Sequence, residues 1–292
     1  MREKANSFFG IVFADTVRKK VENLILILAG FGFIIHLLLI LLKELDLITV
    51  TDLNQELLND PISAIYTPFS LILVYEVYLL LFYLPRSFTS CISKQFEIIS
   101  LIVIRKIFKD IPLMDLNDNW IFSEHNIELV VDLLGFLILF FLIYLFNKDT
   151  KKLPKKNITD PSLIRFISSK KIVSLSLLIV MSFMALNTLF EWVFNIYSNQ
   201  TITQIDGLFF NKFFTLLILA DVIILLISFR YTEEYSKLIR NTGFIISTIL
   251  IRLSFSSSGY LTMILILTGV SFAYLILKIY NSIENPKTNL KA

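Results

Sequence analysis

A chain of 292 residues that is 55% hydrophobic and 14% aromatic is too apolar for a soluble globular domain, which usually holds about 45–50% apolar residues even with glycine counted. The formal net charge of +3 gives no reason to expect nucleic-acid binding. A single cysteine, Cys91, excludes an intrachain disulfide, and with only two histidines a dedicated transition-metal site is not expected.

The apolar residues fall in long uncharged blocks, and a bilayer core needs about 20 such residues per helix. Runs such as LGFLILFFLIYLF (134–146) lack the in/out alternation of a membrane barrel. The expected fold class is therefore all-α, a polytopic helical membrane protein.

Residues 1–20 interleave Arg2, Lys4, Arg18, Lys19 and Lys20 with Phe8, Phe9, Val12 and Phe13, the pattern of a short amphipathic segment on the inner membrane surface. The apolar run that follows is too long for a signal peptide and lacks a small-residue cleavage site, so it is expected to remain as the first span. That span covers 21–42 and is interrupted by His36. An acidic loop leads to span two (62–84), which carries Glu76 and stops at Pro85. After a turn with Arg86 comes span three (90–108), with Lys94 near its start and Arg105 near its end. Span four covers 127–146. The segment 147–171, rich in lysine and holding Pro154 and Pro161, reads as a basic linker against anionic headgroups. Span five (172–197) contains Asn187 and Glu191, and span six (212–229) contains Asp221. A turn with Arg230, Lys237 and Arg240 precedes span seven (238–255), which carries Arg252. Span eight covers 259–280.

This layout divides the chain into a four-helix unit (1–146), the linker (147–171), a second four-helix unit (172–281) and a polar tail (282–292). Cytoplasmic loops should concentrate Lys and Arg. With the N-terminus inside, six of the 27 basic residues (Lys43, Arg105, Lys106, Lys109, Lys212 and Arg252) fall at outer positions and the rest at inner ones. Both termini are thus expected in the cytoplasm.

The two units look like copies. The stretches 69–108 and 214–255 each place one carboxylate in a first apolar run, Glu76 or Asp221. Each then has a basic turn and closes on a matching phrase, IISLIVIRKIF or IISTILIRLSF, with Arg105 or Arg252 near its end. An even number of spans per unit makes the repeat parallel rather than inverted. Val74-Tyr-Glu76, Lys94 and Ile102-Val-Ile-Arg105, with Leu219-Ala-Asp221, Lys237 to Arg240 and Ile249-Leu-Ile-Arg252, resemble the central hairpin of the phosphate-starvation-inducible E (PsiE) family. The resemblance covers each hairpin and, loosely, each unit. It implies a four-helix bacterial inner-membrane unit, and a fold rather than an activity. The chain departs from the family in being doubled and in having Asp in the second copy.

Charges at mid-span need protein partners. Folding each hairpin at its turn brings Glu76 towards Arg105 and Asp221 towards Arg252, which reads as a pair of buried carboxylate–guanidinium clips. The alternative is that the acids line a path for cations or protons. His36 and Asn187 read as interhelical hydrogen-bonding residues. Glu124, His125, Glu128 and Asp132 read as a solvated helix start, with a weak cation site at Glu128 and Asp132 as the alternative. No P-loop, His-Glu-x-x-His or Gly-x-Ser-x-Gly motif is present. No enzymatic activity and no cofactor are expected. The leading functional expectation is an oligomeric conduit for ions or small solutes in the lipid bilayer. The alternative is a membrane effector or scaffold controlled by a cytoplasmic protein partner through the basic turns.

Overall fold

The computed structural model describes residues 2–47, 61–111, 123–151, 161–197, 205–231, 234–257 and 259–284. Among them are the helices α1 (Arg2–Val12), α2 (Asp15–Glu44), α3 (Tyr66–Tyr83, entered through the 3-10 turn Pro61–Ile65) and α4 (Phe88–Asp110). They continue as α5 (Glu124–Thr150), α6 (Pro161–Tyr197), α7 (Ile205–Phe229), α8 (Tyr235–Ser254) and α9 (Tyr260–Glu284). Serines stop and start the chain where the sequence turns polar. The Ser87 hydroxyl accepts from the Ser90 amide at 3.2 Å to cap α4, and Ser123 accepts from the Asn126 amide at 3.3 Å to cap α5.

Every expected span is helical where the structure describes it, but the boundaries differ at two places. First, α6 begins at Pro161, so Arg165, Lys170 and Lys171 lie on a helix and not in a linker. Proline suits the first helical turn, where its missing N–H costs nothing. Second, the N-terminal segment is not simply a surface helix. The chain breaks at Ala14, whose backbone is extended (φ −69°, ψ 145°), and α1 packs against α6 with Phe13 buried.

Among the described residues, six helical stretches are long and apolar enough to cross a membrane: Asn6–Glu44, Pro61–Tyr83, His125–Thr150, Leu163–Asn187, Lys212–Phe229 and Tyr260–Glu284. The protein is therefore a helical membrane protein. The two remaining expected spans, α4 and α8, are helices with several charged residues each. Each has a face buried in the bundle and a face exposed on its outside. The buried face of α8 holds Asn241, Ser247, Thr248 and Arg252, while Ile239, Ile246 and Leu253 are exposed at seven-residue intervals. A helix of a soluble protein turns its apolar stripe inward. Here the polar stripe is inward, as expected where the outer solvent is hydrocarbon.

Consecutive helices pack in order, α2 on α3, α3 on α4, α4 on α5, and then α6 on α7, α7 on α8, α8 on α9. Cross-packing of α5 on α9, α4 on α8 and α3 on α6 joins the two series. Neither hydrophobic core belongs to one half of the chain. One draws on α1, α3, α4, α6 and α7, around Leu81, Phe213 and Leu217. The other draws on α4, α5, α8 and α9, around Phe96, Phe146 and Phe244. Helix α4 serves both, giving Cys91, Ile98 and Ile102 to the first and Ile92, Phe96 and Ile99 to the second.

Helices α8 and α9 pack closely. The Ser247 hydroxyl donates to the Gly269 carbonyl at 2.7 Å. A Cβ built on Gly269 would stand 3.0 Å from the Ser247 carbonyl oxygen and 2.7 Å from Ile251 Cγ1. Small residues let membrane helices approach in this way. Gly269→Val is expected to destabilise the protein by about 1–3 kcal/mol, the usual range for overpacking. Thermal unfolding in detergent would measure it, with Gly30→Ala as control because a Cβ there meets nothing within 4 Å.

Candidate functional site

Buried polar groups on α4, α6, α7 and α8 (Cys91, Gln95, Lys170, Asp221 and Arg252) form a seam, and Glu76 on α3 is buried apart from them, near Arg105. Its best-defined part is the ion pair of Asp221 on α7 with Arg252 on α8. Arg252 Nη1 lies 2.8 Å from Asp221 Oδ2, with the side chains 4% and 8% exposed. One turn before Arg252, the Thr248 hydroxyl reaches Asp221 Oδ2 at 3.4 Å and donates to the Ile245 carbonyl at 2.9 Å.

The first hairpin does not repeat this contact. Glu76 on α3 is buried at 4% exposure, but it makes no hydrogen bond or ion pair with any described residue. The expected Glu76–Arg105 clip is not closed, although the charge of Arg105 still acts on Glu76. Register is not the cause. Phe69 stacks on Phe108 with ring centroids 5.1 Å apart, and Phe214 stacks on Phe255 at 4.4 Å. Each acid lies seven residues after the first ring and each arginine three before the second. The difference is burial: Arg252 is enclosed, whereas Arg105 is half-buried and has other interactions.

Near Asp221 the seam holds Cys91, Gln95 and Lys170, which line a cavity of ≈ 10 Å³ with Asp221 and Ile245. Gln95 donates to Cys91 Sγ at 3.5 Å. Lys170 is 2% exposed, donates to the Arg86 carbonyl at 2.5 Å, and lies 4.7 Å from the Phe88 ring centroid. The sequence offered no signal for this burial, because Lys170 lies in the lysine-rich stretch 147–171 that reads as a basic linker against headgroups. Around it the end of the bundle is basic and aromatic. Arg86 covers the Phe82 and Tyr83 rings at 5.0 Å each, Arg18 donates to the Tyr83 hydroxyl at 3.0 Å, and Lys94 pairs with Glu97 at 2.5 Å. Cations over ring faces in this range are favourable.

At the other end of α4, the cluster expected to be a solvated helix start is filled from within. Lys106 Nζ lies 2.9 Å from Glu128 Oε1 and 2.8 Å from Asp132 Oδ2, and Asp132 is fully buried. A lysine thus occupies the place where a weak cation site was the alternative. His125 is exposed and the Glu124 side chain lies outside the described residues.

His36 Nδ1 is 2.5 Å from Thr67 Oγ1, joining α2 to α3. Asn187 is exposed on α6 and makes no hydrogen bond among the described residues, and the Glu191 side chain lies outside them. In the second basic turn, Arg230 is exposed, Lys237 pairs with Glu234 at 2.5 Å, and the Arg240 guanidinium covers the Tyr280 ring at 4.4 Å. No group of three or more His, Cys, Asp or Glu residues suited to a metal ion occurs among the described residues. Comparison with models of known protein families, with curated proteins and with solved structures finds no match to this chain.

Proposed function

We propose that this is a non-enzymatic conduit for ions or small solutes, with α4 and α8 completing eight spans and both termini in the cytoplasm of a bacterial inner membrane. The observation that carries the reading is buried charge, with Lys170, Asp221 and Arg252 in the seam and Glu76 buried separately on α3. Buried charge at membrane depth is costly, and it is usually retained where it serves an ion or proton path. Free space beside Asp221 is only ≈ 10 Å³, which on this reading corresponds to a closed conduit. The doubled hairpin, two PsiE-like units in parallel, is part of the same proposal. The equivalent ring pairs Phe69–Phe108 and Phe214–Phe255 support it. Assembly into a homo-oligomer would give the conduit its full wall.

The test is flux through reconstituted liposomes. Wild-type protein should raise monovalent-cation or proton flux above empty vesicles, and Glu76→Gln with Asp221→Asn should change it at least tenfold. Each tenfold step corresponds to about 1.4 kcal/mol of barrier. Flux equal to wild type in the double variant would remove the acids from the mechanism.

A second reading, a membrane effector gated by a cytoplasmic partner, draws on the closed seam and on the basic, aromatic end around Arg86 and Lys94. An acidic protein surface is the chemistry that end would accept. Here liposomes holding the protein alone would stay silent, and flux or membrane damage would follow only when the partner is added.

A further inference from the structure

Among the described residues the buried acids are Glu76, Asp132 and Asp221. Asp132 has Lys106 at 2.8 Å and Asp221 has Arg252 at 2.8 Å. Glu76 has no such cation. It lies on α3 three residues after Leu73 and four before Leu80, a spacing that puts all three on one helix face. Leu73 and Leu80 are buried in the core that also holds Ile98 and Ile102 of α4 and Leu177 and Met181 of α6. The carboxyl is therefore set into an apolar stripe. Of the helices packed on α3, α2 brings Arg18, Glu22 and His36, which bond Tyr83, Tyr75 and Thr67. Helix α6 brings Lys170, which donates to the Arg86 carbonyl. Only Arg105 of α4 acts on Glu76, and it does so without closing an ion pair.

We propose that Glu76 is a proton-binding site, a neutral acid at rest that carries the proton through the conduit, while Asp221 stays a fixed anion. The carrying role rests on the conduit reading, and the protonated site does not. An ionised carboxylate without a partner in apolar surroundings is so costly that the group takes up a proton instead. A metal cation would need several oxygen ligands, whereas this stripe offers one carboxyl among hydrocarbon side chains. A proton needs only the carboxyl. On release the Glu76 O–H bond breaks, its electron pair stays on the carboxylate, and a water takes the proton. Arg105 then supplies the balancing charge. The Phe69–Phe108 stack already holds α3 and α4 in register, so that step is a movement of one side chain and not a slide of helices.

The experiment treats the full chain in proteoliposomes with dicyclohexylcarbodiimide, an apolar reagent for protonated carboxyls. The acid adds across a C=N bond and the acyl group migrates to nitrogen, leaving a stable N-acylurea. Peptide mapping should find the adduct on Glu76 in about tenfold excess over Asp221, the ratio given by about 1.4 kcal/mol between two protonation equilibria. A second measurement covers poor access of the reagent: the infrared carbonyl band of a protonated carboxyl, removed by Glu76→Gln and kept in Asp221→Asn. Glu76→Gln should melt as the wild type does, because an amide replaces a neutral acid of the same size. Asp221→Asn should melt lower, because Arg252 loses its partner. Proton flux should fall about tenfold in Glu76→Gln and in the modified wild type, each tenfold step being about 1.4 kcal/mol of barrier. Absence of both adduct and band, or equal labelling of Glu76 and Asp221, would overturn the protonated site. Undiminished proton flux in Glu76→Gln would overturn the carrying role alone. A labelled Glu76 in wild-type liposomes no leakier than empty vesicles would overturn the carrying role together with the conduit.

Discussion

Arg252→Met is expected to lower the stability of the folded protein by about 3–5 kcal/mol, the cost of leaving a buried partner charge uncompensated. The charge left behind is Asp221, which is 8% exposed in its side chain and has only the long Thr248 contact to replace a 2.8 Å ion pair. Adding Asp221→Leu should restore a substantial part of the loss, because two apolar side chains of similar volume leave no orphan. The measurement is unfolding in detergent across the double-mutant cycle, and losses that simply add would show that the residues are not coupled. The same cycle on Glu76 and Arg105 should return a much smaller coupling, since no ion pair closes between them. Equal coupling in both hairpins would contradict the difference in burial between Arg105 and Arg252.

Lys106→Met is the second large effect, at about 2–3 kcal/mol. This is below the full cost of breaking a buried pair because the lysine side chain is 30% exposed. It leaves Glu128 and the fully buried Asp132 facing one another with their cation removed. Asp132→Asn in the same background should recover most of the loss, whereas Glu128→Gln should recover less, because Glu128 is 24% exposed and better hydrated. A melting series over these four proteins tests the ranking, and equal rescue by both substitutions would show that burial does not set it.

The helices were legible because hydrocarbon imposes a simple demand, about 20 apolar residues per crossing. Turns after Pro85 and around Arg230 announced themselves for the same reason. The Asp221–Arg252 contact was legible too, since a hairpin folded at its turn leaves those two positions within reach. What the pattern could not convey was which neighbour a charged helix would choose. Lys106 finds its acids on α5 and Lys170 finds the Arg86 carbonyl, contacts between elements whose adjacency is a property of packing and not of spacing. The start of α6 at Pro161 was hidden by lysines, whose long stems let Lys170 fold inward over Phe88 and Phe166 and Lys171 lie over Phe9.

The charged residues of α4 and α8 also bear on how the chain is made, if both helices cross the membrane as proposed. A charged residue costs most at the centre of a lone membrane helix and less towards its end, and α4 carries Arg105 and Lys106 in its last two turns. The acids that meet Lys106 lie on α5, which leaves the ribosome next. In the second half the order is reversed, with Asp221 on α7 emerging before Arg252 on α8. On the proposed eight-span reading, each charged helix is synthesised beside one that supplies an opposite charge, so that the unit handed to the bilayer would be a pair of helices and not a single one. A nascent chain cut after residue 111 would hold α4 at the surface, while one cut after residue 151 would carry it in.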